Sequence, residues 1–152
     1  MTQNPILDDY SRRVADAVLE RWPEWKSFAK TVKKRSKTYF VLEVPPINPK
    51  AKLGIKLIVG SGATGLEFEN DRLHVDDYLD EGPNLEDLTV AFIDQYLSEE
   101  LVSVSWWQRG KLKISTLLEP GKRIPKQTSL KGSAQVRVRS WTGKHDRDLN
   151  YH

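Results

Sequence analysis

Three histidines (His74, His145 and His152) and a dense set of carboxylates are the residues of this chain able to move protons or hold a metal. His74 is followed by Asp76 and Asp77, and His145 by Asp146. A zinc-type site needs three or four ligands at defined spacing, and neither HxxxH nor HExxH occurs. Acid–base catalysis needs two carboxylates converging on one pocket. The pairs Asp76-Asp77, Glu86-Asp87 and Glu99-Glu100 are adjacent, and neighbours on a strand point to opposite faces. There is no GxSxG elbow, and the absence of cysteine excludes a thiolate nucleophile, a disulfide and an iron–sulfur cluster. The turn Ser61-Gly62-Ala63-Thr64-Gly65 lacks the Lys-Ser/Thr ending of a phosphate loop. The expectation is a protein that is not an enzyme and that uses no metal or cofactor.

Charge carries more information. The net charge is +3, yet residues 64–100 hold twelve acids against one arginine, a local net of −11. The segments on either side are basic. Such a block can form a face that docks a positively charged partner and speeds its arrival. Lys30 to Lys37, KTVKKRSK, is a basic run that reads as a solvated linker, with a phosphate-contacting patch as the alternative.

The elements that must position these groups follow from spacing. With 152 residues the chain has the length of one domain and can bury about 70% of its unfolded surface. The N-terminus has no basic stretch leading into an apolar run, and no apolar stretch approaches the roughly 20 residues of a membrane span. A reducing cytoplasm is the expected compartment. Asp8 or Asp9 can cap a first helix with Tyr10, Val14, Ala17 and Val18 as its stripe, and Pro23 either stops it or restarts it as a new first turn. Asn84 can cap a central helix in which Leu85, Leu88, Phe92, Ile93, Tyr96 and Leu97 make the apolar face. From Leu101 the period becomes two. Val102, Val104 and Trp106 alternate with Ser103, Ser105 and Trp107, and Gln108-Arg109-Gly110-Lys111 turns the chain into a partner strand. The central helix is expected to pack on this hairpin.

TYFVLEV (38–44), LGIKLIVG (53–60), residues 66–69, LHVDDY (73–78) and AQVRVRSW (134–141) read as further strands, the second covered on both faces. Residues 119–132 read as an open loop and 142–152 as a tail. The expected fold is α+β, with a mainly antiparallel sheet of about five to seven strands on which an N-terminal and a central helix pack. Its organisation is a helical segment 1–37, a core 38–141 and a tail.

Nucleic-acid binding is the alternative function. Trp106, Trp107, Arg109, Lys111, Lys113, Arg137, Arg139 and Trp141 mix cations with stacking rings on expected strands. The acidic block opposes it by repelling phosphates.

The runs LGIKLIVG…TGLEFENDRLHVDDY, LTVAFIDQYLSEELVSVSWWQRGKLKIST and VRVRSWTGKHDRDL resemble bacterial immunity proteins of polymorphic toxin systems, including contact-dependent growth-inhibition and Rhs-type toxins. The resemblance covers Thr38 to Leu149, behind a variable N-terminal helix. In that family the segment corresponding to Phe68–Tyr78 often carries more than one histidine; here only His74 stands, which speaks against a shared ligand role. The resemblance implies a cytoplasmic, non-enzymatic inhibitor of one cognate toxin domain, many of which are nucleases with basic clefts. The acids expected to meet such a cleft are Glu67, Glu69, Asp71, Asp76, Asp77, Asp80, Glu81, Glu86 and Asp87, with Tyr78 among them as an aromatic anchor.

Overall fold

The computed structural model describes residues 6–78 and 84–151. Helix α1 (Asp9–Arg21) begins where the Asp8 carboxylate accepts the Ser11 N–H at 2.7 Å, and it buries Val14, Ala15 and Val18. Pro23 then opens a 3-10 helix, Pro23–Phe28, and Trp22 stacks on Trp25 with ring centroids 4.7 Å apart. Helix α2 (Leu85–Leu97) is capped by Asn84, which accepts the Asp87 N–H at 2.9 Å.

The strands form two antiparallel sheets. The first is a meander of β1 (Ala29–Lys34), β2 (Lys37–Val44), β3 (Ile55–Gly60), β4 (Ala63–Phe68) and β5 (Asp71–His74), in that order. The second contains β6 (Val102–Gln108), β7 (Lys111–Leu118), β8 (Ala134–Arg139) and β9 (Arg147–Tyr151), in the order β7-β6-β8-β9. The α+β class is as expected, but the strands divide between two sheets. The reason lies in β6, which pairs with β7 on one side and β8 on the other. No edge of β6 is left for the first sheet.

Each sheet has its own core. Phe40, Leu42, Ile55, Leu57, Leu66 and Phe68 turn one face of the first sheet onto α1 and α2. Each such burial stabilises by about 2 kcal/mol. Phe68 stacks on Tyr96 at 4.3 Å. Helix α2 therefore packs chiefly on α1 and meets the first sheet through Tyr96, while the hairpin that follows contributes Leu117 to the margin of this core. Its buried stripe is Leu85, Thr89, Ile93 and Tyr96, with Leu88, Phe92 and Leu97 half-buried. In the second sheet Val102, Val104, Trp106, Val136 and Val138 form a smaller core closed by Ile124 from the connection between β7 and β8. That connection, read as an open loop, is pinned by Ile124, which is 5% exposed, by Leu130 packed beside the same core, and by the Gln108 amide, which donates to the Lys131 carbonyl at 2.9 Å.

Other expectations are corrected. The basic run is not a linker: it forms β1 and its tight turn into β2, because Ala29 and Thr31 alternate inward against Leu42 and Phe40. The expected tail contains β9, whose Leu149 packs on the second core. The segment LHVDDY is strand only to His74 and continues as a 3-10 helix, Val75–Tyr78. Strand β3 is central, with Ile55, Leu57, Val59 and the terminal Gly60 buried, but Lys56 and Ile58 stay half-exposed on the other face. Among the described residues no helix is long and apolar enough to cross a membrane.

The two sheets meet at Asp71, the first residue of β5. Its carboxylate, in a residue only 6% exposed, accepts a bond from the Ser103 hydroxyl of β6 at 2.6 Å. Beside it, the Ser115 hydroxyl of β7 donates to the Asn70 carbonyl at 2.9 Å. Burial pushes the Asp71 carboxyl up to about 6, against the serine bonds that favour its charged form. The folded state therefore holds the Asp71 proton more tightly than the unfolded chain. The associated stability is complete below about pH 4 and is lost as pH rises through 6. Asp71→Asn keeps the shape and removes the ionisation. Urea midpoints taken across this window should show the variant gaining about 2–3 kcal/mol relative to the parent between pH 4 and 7.

Candidate functional site

Most of the acids expected to face a partner are committed within the chain. Glu69, at φ +52°, accepts the N–H groups of Lys52 (2.8 and 2.9 Å) and Leu53 (3.1 Å), clamping the β2–β3 loop to the β4–β5 turn. Glu67 pairs with Arg72 across β4 and β5 at 2.9 Å. Asp71 is buried at the sheet junction. Asp76 accepts the Thr64 N–H at 3.2 Å, and the Thr64 hydroxyl meets Tyr10 at 2.8 Å. Burial pushes the Tyr10 hydroxyl above its usual range, opposed by that Thr64 bond and helped by the nearby Asp76 charge. Glu86 faces Arg13 of α1 at 3.2 Å.

Three of the expected residues remain turned to solvent among those described: Asp77, Tyr78 and Asp87. Tyr78 is 53% exposed and stands edge-on against Phe92 of α2, ring centroids 5.3 Å apart at 70°. The contact brings the end of the 3-10 helix to α2. Asp87 sits in the first turn of that helix, where the dipole favours a negative charge. Asp80 and Glu81 lie outside the described residues.

The tryptophan-bearing set is brought together but turned onto itself. Trp106 is 1% exposed in the second core, and Trp107 faces the other way, as strand alternation requires. The Arg137 guanidinium lies 4.2 Å from the Trp107 ring centroid, and Trp107 Nε1 donates to Ser105 at 2.8 Å. Arg139 pairs with Asp148 at 2.7 Å, and this bond holds the Asp148 carboxyl below its usual range. Trp141 packs edge-on near Tyr96. Arg109, Lys111 and Lys113 stay exposed around the β6–β7 turn.

His74 and His145 lie apart from each other, and His152 lies outside the described residues. Among the described residues no group of three His, Cys, Asp or Glu side chains has metal-binding geometry. His74 ends β5, exposed and opposite Gly65. His145 Nε2 lies 3.5 Å from Glu99, a contact unrelated to His74. Glu99 is buried at φ +62° and accepts both the N–H (2.7 Å) and the hydroxyl of Thr142.

This contact belongs to a polar knot that sequence reasoning missed. Asp146 accepts the Ser140 N–H and the Asn48 side-chain amide, both at 2.8 Å. Asn48, 3% exposed, also donates to the Ser140 carbonyl at 3.0 Å, and the Ser140 hydroxyl accepts the His145 N–H at 3.0 Å. Gly143 is required by φ +89° and by proximity: an added Cβ would stand 3.2 Å from Asn48 Oδ1. The SWTGKHD stretch thus ties the β2–β3 loop and the end of α2 to the β8–β9 connection. A concavity of about 360 Å³ adjoins it, with Lys122, Lys144, His145 and Arg147 around a floor of Val104 and Val138. No hydroxyl or thiol lines it, so it offers no nucleophile of those kinds.

Comparison with family models, curated proteins and solved structures returned no match.

The knot is open to test. Asp146→Ala removes the acceptor of the Ser140 N–H and one of the two acceptors of the Asn48 amide, and bonds to a charged group contribute about 1.5–3 kcal/mol. Urea denaturation of this variant should show a loss of about 2–3 kcal/mol, shared by probes of both sheets.

Proposed function

We propose that the chain is an immunity-type inhibitor that binds a cognate bacterial toxin domain in the cytoplasm and blocks it by occupancy, without turnover or cofactor. The observation that carries the reading is the exposed Tyr78, propped against Phe92, with the exposed carboxylates of Asp77 and Asp87 on the two elements that meet there. A rigid half-exposed aromatic loses little freedom on binding and is a common energetic anchor. Carboxylates around it steer a basic cleft toward it. The resemblance of the Thr38–Leu149 region to immunity proteins points the same way.

Of the nine expected acids, Asp77 and Asp87 keep a contact role among the described residues. Glu67, Glu69, Asp71, Asp76 and Glu86 act by holding the scaffold, since each already has an internal partner.

The test is rescue of toxin-arrested cells by this chain, followed by co-purification with the toxin domain encoded beside it. Tyr78→Ala should weaken binding about 30-fold, the loss of a 2 kcal/mol anchor. Asp77→Lys with Asp87→Asn should slow association and flatten its salt dependence while the melting temperature stays near that of the parent. Unchanged affinity in both variants would exclude this surface.

A further inference from the structure

The face of the first sheet turned away from the helices has no role in the reading above. Register identifies it: Tyr39, Ile58, Gly65 and His74 alternate with core residues Phe40, Leu57 and Leu66, and these four remain half-exposed or exposed. At its centre lies a trough of about 170 Å³ lined by Tyr39, Gly60, Gly65 and His74 and by the mutually paired Glu67 and Arg72. A Cβ on Gly60 would fall 2.4 Å from Tyr39 Cδ1, so the ring lies across that glycine. A Cβ on Gly65 would meet only the Ile58 carbonyl, at 3.9 Å. That space is unfilled. Interior strand glycines weaken a sheet, and their common use is to let something approach the backbone closely.

Beyond Tyr39 the same face becomes cationic. Lys34 and Lys37 stand directly opposite each other across the β1–β2 hairpin, a like-charge pair that destabilises a ladder. Arg35 takes the left-handed turn position, φ +57°, where glycine or asparagine costs less. Lys30, Lys34 and Lys37 are exposed and form no ion pair among the described residues. The acids on this face are already matched, Glu43 by Lys56 at 3.3 Å and Glu67 by Arg72 at 2.9 Å. An aromatic ring, an open slot and unbalanced cations on a rigid sheet are the components that bind unpaired bases and their phosphates.

We propose that this face binds single-stranded nucleic acid, with one base seated in the Gly60–Gly65 trough beside Tyr39 and the flanking phosphates on Lys34 and Lys37. A slot beside a ring fits a planar base better than it fits the carboxylates of an acidic peptide. The surface shares no residue with Asp77, Tyr78 and Asp87, so the proposal stands apart from toxin binding.

The experiment is fluorescence anisotropy of the full chain with a labelled oligo-uridine of about ten nucleotides, at low and rising salt, beside a labelled poly-glutamate peptide of similar charge. The oligonucleotide should bind, with affinity falling linearly in log salt at a slope of about 1–2, as two or three phosphate contacts require. Gly65→Val fills the slot at a position that tolerates a side chain. It should cost about tenfold in affinity with the melting temperature unchanged or raised. Gly65→Ala serves as the smaller step should the valine disturb the fold. Lys34→Ala with Lys37→Ala should weaken binding and flatten the salt slope while raising stability. No oligonucleotide binding at low salt would overturn the proposal. So would parent-like affinity in a folded Gly65 variant. Peptide binding equal to that of the oligonucleotide, and indifferent to Gly65, would assign the face to an acidic protein instead.

Discussion

The fold depends on two sheets, each with its own core, being held together through buried polar contacts. Asp71 reaches from the first sheet to Ser103 of the second, and Asn48 reaches from the β2–β3 loop to Ser140 and Asp146. Buried hydrogen-bonding groups cost free energy when unmatched, so these contacts fix one relative placement of the sheets. Apolar packing tolerates sliding more readily than a carboxylate that must find its donors. The chain spends scarce buried polar groups at this joint, and both surfaces considered above, the Tyr78 corner and the open sheet face, are carried by the sheet so anchored.

The acidic block is better understood as two populations than as one face. Glu69 and Asp76 accept backbone N–H groups that would otherwise lack partners at loop and strand ends. Glu67 and Glu86 neutralise arginines. Charge of this kind is local and contributes little to a distant field. The steering charge resides in acids without such partners, and Asp77 and Asp87 are those among the candidates described. The same division applies to the cations: Arg137 and Arg139 are occupied by Trp107 and Asp148, whereas Lys30, Lys34 and Lys37 form no ion pair among the described residues.

Local structure was legible in the sequence where one residue type imposes one geometry. Asp8 and Asn84 cap the two helices, Pro23 ends the first, and the period of two after Leu101 separates Trp106 from Trp107. What was not legible depends on partners distant in the chain. Nothing local says that β6 pairs with β8 rather than with β5, and that choice divides the strands into two sheets. The basic run concealed β1 because Lys30, Lys33 and Lys34 mask the inward pair Ala29 and Thr31. Asp146 looked like part of a tail because its partner, Asn48, is 98 residues away. At the candidate site, sequence supplied the positions of the acids along the chain. It could not show which carboxylates the backbone had already claimed.

Ile124 has a consequence for motion. The first core is shielded by two helices, but one face of the second is closed by Ile124 and Leu130 on a segment without regular structure between Leu118 and Ala134. Lifting that segment breaks few backbone hydrogen bonds and wets a layer of valines. Segments held in this way, by a few side chains and little backbone pairing, are the ones that open first in a folded domain. The cover of the second core is thus a stretch of irregular chain where the first has helices, and the carboxyl group of Asp71 sits on the seam between the two sheets.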